Sequence, residues 1–159
     1  MCAVLFAMRR ILIALLIGSS FAVFAAAAVT GKVVKVLPLL LDTQGRVAKT
    51  PSLFDRDAYQ AWLRIHTNEI SGIRYDVLWK AGKSNGEKLT LRIELRSMGE
   101  ASQPQLKTIE TPVSAGFSGK WTELTLGGDD YKKLGAVTAW RATLWNDAQL
   151  LGEQKSFLW

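Results

Sequence analysis

Between Lys88 and Arg96 the chain alternates without a break. Leu89, Leu91, Ile93 and Leu95 take one set of positions; Lys88, Thr90, Arg92, Glu94 and Arg96 take the other. Successive side chains of an extended strand point to opposite faces, so this run specifies a strand with one dry and one wet side. Its apolar side needs a second layer to cover it. Residues 73–80 repeat the pattern: Ile73, Tyr75, Val77 and Trp79 alternate with Arg74, Asp76, Leu78 and Lys80.

Further extended segments follow the same logic. Residues 32–41 are rich in Val and Leu and contain Pro38, which cannot donate to a central ladder, so the segment is expected at a sheet edge. Residues 106–113, 120–126, 136–145 and 150–158 read as strands, the last two forming a hairpin about Asn146-Asp147. Asp42-Thr43-Gln44-Gly45 fits a turn, and loops are expected over 82–86 and 98–104. One helix is expected over 55–66, with Asp55 as N-cap and Phe54 and Tyr59 as a hydrophobic staple. Its stripe of Ala58, Tyr59, Trp62, Leu63 and Ile65 should face the domain, leaving Arg56, Asp57, Gln60 and Arg64 outside. Tyr131 to Leu134 can add one helical turn. Helices do not alternate with strands, which argues against a parallel sheet. The expected fold is all-β: an antiparallel two-sheet sandwich of roughly seven strands with one inserted short helix.

The N-terminal stretch has a different character. Arg9 and Arg10 precede the apolar run Ile11 to Ile17, and Ala26-Ala27-Ala28 supplies the small residues a signal peptidase needs. Residues 1–28 are therefore expected to be a signal peptide cut before Val29, with Met8 as the better start, and residues 29–159 a single domain. The alternative is an uncleaved anchor, for which Ile11 to Ala28 is near the lower length limit. The one cysteine, Cys2, lies ahead of the apolar run. The 29–159 domain then has no disulfide, thiolate nucleophile or cysteine-bound metal, nor a cysteine for a lipid anchor at its first position. An apolar core must hold it, for which its length suffices. The net charge of +6 becomes +4 without the two arginines. That mild excess suits anionic envelope polymers, and no block of like charge points to nucleic acid. The destination is periplasmic or extracellular, with membrane contact only in transit.

Two resemblances sit on this pattern. The succession of short strands over 32–158 resembles an immunoglobulin-like or fibronectin-III-like sandwich, and Tyr131 before Leu134-Gly135 is similar to the tyrosine corner of such folds. The antibody cysteine pair is missing. More narrowly, Pro51 to Gln60, Ala139-Trp140-Arg141 and Ser156-Phe157-Leu158-Trp159 resemble segments of an exported bacterial family of unknown function. That likeness implies one compact domain and no activity.

Candidate chemistry is sparse. His66, the sole histidine, stands in the last turn of the expected helix, where it suits exposed carbonyls, and no nucleophile signature accompanies it. Asp55 and Asp57 are first-turn acids; Asp129-Asp130 after two glycines reads as a turn. Asp76 and Glu94 lie on polar strand faces and could meet across a cleft as glycosidase carboxylates do, but Arg74, Arg92 and Arg96 offer ion pairs. No cofactor motif or metal-ligand spacing is present.

The six tryptophans carry more weight. Most are expected in the core, with Trp159 closing one end of the sandwich. Trp140 and Trp145, five apart on one strand, should point to opposite faces. The exposed one, beside Arg141, Lys155 or Tyr75, could form a platform for sugars or another aromatic-seeking ligand. The expected function is a non-enzymatic, exported binding or structural module without cofactor, whose partner is an envelope polysaccharide or surface protein. The alternatives are a carbohydrate-binding module and a secreted hydrolase using Asp76, Glu94 or Glu123.

Overall fold

Two antiparallel sheets face each other in the computed structural model, which describes residues 29–82, 88–98 and 103–159. The expected signal segment 1–28, residues 83–86 of the expected turn and 99–102 of the expected loop lie outside the described residues. Seven strands are formed among the described residues: β1 (Gly31–Asp42), β2 (Ile70–Ala81), β3 (Leu89–Met98), β4 (Pro104–Val113), β5 (Gly116–Gly127), β6 (Val137–Asn146) and β7 (Gln149–Lys155). Helix α1 (Leu53–Ile65) joins β1 to β2, and α2 (Gly128–Leu134) joins β5 to β6. One sheet has the order β1-β2-β5, the other β4-β3-β6-β7. The sequence pattern for an all-β two-layer fold is realised.

The alternating strands lie where the pattern requires. β2 and β3, each flanked on both sides by other strands, send their odd-numbered residues inward. Ile73, Tyr75, Val77 and Trp79 thus meet Leu89, Leu91, Ile93 and Leu95 in one core, joined by Val33, Val36, Leu124, Leu126, Ala142 and Leu144. Leu134 of α2 plugs an end, its carbonyl accepting from the Ser97 hydroxyl. β1 is an edge strand, as Pro38 demanded.

The sheets also approach along the seam between β1 and β7. A Cβ on Gly152 would stand 2.8 Å from the Lys32 Cα and 3.2 Å from the Gly31 oxygen. Only glycine allows the two backbones that near. β7 ends earlier than the sequence pattern suggests, because Ser156 substitutes its hydroxyl for backbone and accepts from the Trp140 N–H at 3.0 Å.

Helix α1 departs from expectation in two ways. Its N-cap is Ser52, not Asp55: the Ser52 Oγ accepts from the Asp55 N–H at 3.3 Å. Its orientation is also rotated. The fully buried residues are Gln60 and Leu63, while Ala58, Trp62 and Ile65 are exposed. The cause is polar. The Gln60 side chain accepts from the Leu40 N–H at 2.7 Å and donates to the Leu40 carbonyl at 2.9 Å and the Val47 carbonyl at 2.8 Å. A glutamine amide thereby acts as a substitute strand partner at the free edge of β1. Leu39 and Leu41, on the outer face of β1, are buried with Leu63 apart from the main core.

Asp42 fixes the other end of this connection. Its carboxylate accepts from the Gln44 N–H (2.9 Å), the Arg46 N–H (2.8 Å), the Arg46 guanidinium (2.9 Å) and the Tyr59 hydroxyl of α1 (2.8 Å). The expected turn closes with the Gly45 N–H donating to the Asp42 carbonyl at 2.8 Å. Burial opposes ionisation and is the largest single influence. The Arg46 backbone and side chain, Tyr59 and Gln44 together outweigh it and hold the carboxyl at about 2, below an ordinary 3.8.

Two outcomes follow for stability. Gln60→Met should destabilise the domain by about 2 kcal/mol in urea unfolding, since it orphans three part-buried backbone groups. Amide exchange at Leu40 should accelerate most. Asp42 stabilises the fold through its ionised form, so its contribution is complete above about pH 4, declines below that and is gone beneath about pH 2. Thermal unfolding of Asp42→Asn should be lower than wild type at pH 7 and converge with it towards pH 2.

Candidate functional site

The residues singled out in the sequence do not form one surface. Tyr75 is fully buried, and Trp140 leans into the core against it with ring centroids 6.2 Å apart. Burial pushes the Tyr75 phenol above its ordinary range, with Tyr131 adding to the effect. Arg141 and Trp145 occupy the outer face of the four-stranded sheet, so the two tryptophans do point to opposite sides. Trp145 is half-buried: Arg92 lies over its ring at 5.1 Å, and its indole N–H donates to Thr143 at 2.8 Å. Arg141 is held by Glu94 at 2.7 Å. Trp159 does not close the sandwich end; it lies on this same face, with Arg96 at 4.0 Å and Arg141 at 5.1 Å from its ring. Arg92 is also paired with Glu110 at 2.6 Å. Arg92 and Arg141 are thus each neutralised by a carboxylate on this face.

Nor do Asp76 and Glu94 meet. Asp76 is on the outer face of the three-stranded sheet and Glu94 on the outer face of the other, with the core between them. The expected packing of most tryptophans in the core is overturned too. Trp79 alone among them is fully buried, and the core is otherwise aliphatic with Tyr75. His66 takes the structural place foreseen for it. Its Nδ1 lies 2.9 Å from the Trp62 carbonyl, and its ring stacks on Trp62 at 4.1 Å. Asp129 and Asp130 open α2, where Asp130 pairs with Lys107 at 2.7 Å. Among the described residues no cluster of three acidic, His or Cys side chains is arranged for a metal.

The open surface lies elsewhere, on the outer face of β1-β2-β5. Register defines it row by row. Lys35, Leu78 and Trp121 are lateral neighbours, as are Leu37, Asp76 and Glu123, then Leu39, Arg74 and Thr125. Helix α1 covers the Leu39 and Leu41 end. The remainder forms a shallow cleft of about 300 Å³ lined by Leu37, Arg56, Asp76, Trp121 and Glu123. Trp121 is 52% exposed, the most accessible tryptophan of the described residues. Its neighbour Leu78 supplies apolar floor, and Gly119 keeps that floor open: a Cβ there would come within 3.1 Å of Leu78.

Arg74 organises the polar half. Its Nε lies 2.8 Å from Asp76 Oδ1, Nη2 donates to Oδ2 at 3.1 Å, and Nη1 is 3.3 Å from Glu123 Oε2. Asp76 is ion-paired with Arg74 and hydrogen-bonded through Oδ2, whereas Glu123 is largely exposed and keeps acceptor capacity. Arg56 overhangs from α1, steadied by Asp57 at 3.0 Å. Beyond Trp121 the face turns basic: Lys32, Lys35 and Lys80 are exposed, share this outer side by register, and have no ion-pair partner among the described residues.

No family model, curated protein or solved structure matches this chain.

The sequence carried a signal for this face that alternation makes readable. Leu124 and Leu126 are in phase with the core, which places Trp121, Glu123 and Thr125 on the wet side. What periodicity could not show is that α1 would leave half of that side uncovered. Iodide should quench Trp121 more than any other tryptophan in the segment 29–159. Trp121→Phe should therefore remove the largest share of quenchable emission.

Proposed function

We propose that this chain is an exported, non-catalytic binding domain of the immunoglobulin or fibronectin-III type, and that its Trp121 face takes an acidic polysaccharide. The observation that carries the reading is the half-exposed indole of Trp121 set beside a mixed carboxylate–guanidinium cleft and a row of exposed lysines with no ion-pair partner among the described residues. A flat indole accepts the C–H face of a sugar ring, as apolar surface with a polar rim does for ligands generally. Glu123 and Arg56 can hydrogen-bond hydroxyls, and Lys32, Lys35 and Lys80 meet the anionic groups of a polymer.

Strand order supports the family reading. Lettering the strands A to G in chain order gives A-B-E facing C-F-G, the sheet membership of immunoglobulin constant-type domains, except that the fourth strand pairs with C rather than E. Tyr131 stands at the E–F corner, half-buried, although its hydroxyl has no hydrogen-bond partner among the described residues. Export rests on the Arg9-Arg10, apolar and Ala26-Ala27-Ala28 succession. The cleft does not favour hydrolysis, because Arg74 forms ion pairs with both of its carboxylates.

Calorimetric titration of residues 29–159 with polygalacturonate, heparin and dextran tests the proposal. Binding is expected for at least one acidic polymer and weaker for dextran. Trp121→Ala should weaken it about tenfold, and Lys35→Ala with Lys80→Ala should flatten its salt dependence. Trp145→Ala should leave it unchanged. Absence of binding to both acidic polymers, or binding indifferent to Trp121, overturns the proposal; release of reducing ends would indicate an enzyme instead.

A further inference from the structure

The rotation of α1 has a second result. Turning Gln60 inward turns an apolar ridge outward. Phe54, Ala58, Ala61 and Ile65, spaced at i, i+4, i+7 and i+11, run along the solvent side of the helix. Phe54 is 82% and Ile65 80% exposed, and Leu53 is exposed at the flank. Nothing among the described residues covers this ridge. Large side chains at both ends and alanines in the middle form a profile that matches its own reverse.

Charge fits the same reversal. Asp57 and Arg64 are seven residues apart and lie on the same flank of the ridge. When two such helices pack antiparallel about a two-fold axis, each flank faces the identical flank of the other copy. Centring the axis between Ala58 and Ala61 sets Phe54 against the partner's Ile65 and Ala58 against the partner's Ala61. Asp57 then falls within about 3 Å, measured along the axis, of the partner's Arg64, and the pairing occurs twice. Arg64 has no ion-pair partner among the described residues, and the Asp57 side chain is mostly exposed with one oxygen on Arg56. The helix carries Asp55, Asp57, Arg56 and Arg64, a balanced set that gives no attraction to an anionic lipid surface.

We infer that the solvent face of α1 is a homodimer interface, in which two copies of this chain pack antiparallel through Phe54, Ala58, Ala61 and Ile65 with reciprocal Asp57–Arg64 ion pairs. The helix is 13 residues long. Two faces of about 20 by 10 Å bury less than a standard interface, so the dimer is weak, with a dissociation constant on the order of 100 μM. Arg56 leaves the same helix towards the cleft, so the dimer would present two clefts to one repeating polymer. That benefit rests on the function proposed above, but the dimer itself does not.

Every element of the described fold lies within residues 29–159, so sedimentation equilibrium on that segment, up to about 1 mM, is the test. Wild type should show a reversible monomer–dimer equilibrium. Phe54→Asp should abolish it while retaining the wild-type melting transition, because Phe54 supports nothing inside the fold. Asp57→Lys and Arg64→Glu should each weaken association about tenfold. Their equimolar mixture should re-associate, since both cross-pairs are then of opposite sign. Trp121→Ala should dimerise normally even if it binds no polysaccharide. A wild type that stays monomeric, a Phe54→Asp dimer, or charge variants that fail to complement on mixing overturns the interface. Loss of phosphatidylcholine vesicle binding in Phe54→Asp without any self-association would assign the ridge to a membrane and equally overturn it.

Discussion

Gln60 offers one acceptor and two donors to a strand edge that would otherwise be bare. An edge strand exposes every second N–H and carbonyl, and β1 does so beside a helix under which Leu40 is half-buried. Burying those groups unpaired costs more than exposing a few apolar atoms. The helix therefore settles with a glutamine inward and a phenylalanine outward. From that one choice follow the position of Arg56 over the cleft, the uncovered half of the sheet and the apolar ridge.

This also explains where the sequence was readable and where it was not. Strand faces follow from covalent geometry, so Leu89 to Leu95 and Ile73 to Trp79 declared their side before any packing was known. Parity likewise separated Trp140 from Trp145. Helix α1 departs from its periodicity because that pattern ranks side chains by water-to-oil transfer, and on that scale Trp62 and Ile65 outrank Gln60. The decisive partner was a backbone twenty residues away. No local pattern encodes that. Ser52 was a milder case: the capping oxygen stood three residues before Asp55, and an acid that resembled the cap was instead inside the first turn.

The two outer faces illustrate how similar residue types serve different ends. On the four-stranded sheet, Arg92 lies over Trp145 and Arg96 and Arg141 lie over Trp159, with Arg92 held by Glu110 and Arg141 by Glu94. Both tryptophans there are capped by arginines, and two of those arginines are neutralised by carboxylates. On the three-stranded sheet the same kinds of residue are present in unequal amounts. Arg74 pairs with Asp76 and touches Glu123, while Trp121 is half-exposed and the lysines have no ion-pair partner among the described residues. A surface with unmet valence in both apolar and ionic terms is one that another molecule can complete.

The glycine contact between β7 and β1 bears on how the chain reaches this state. Gly152 and Gly31 belong to the last and first strands, so their approach has among the greatest sequence separations in the domain. Such contacts return their energy only after the intervening loop entropy has been spent. The seam can therefore shut only once the C-terminal hairpin exists, and a chain still lacking β7 retains an open flank along β1. Assembly order, and not merely final packing, is written into that pair of residues without side chains.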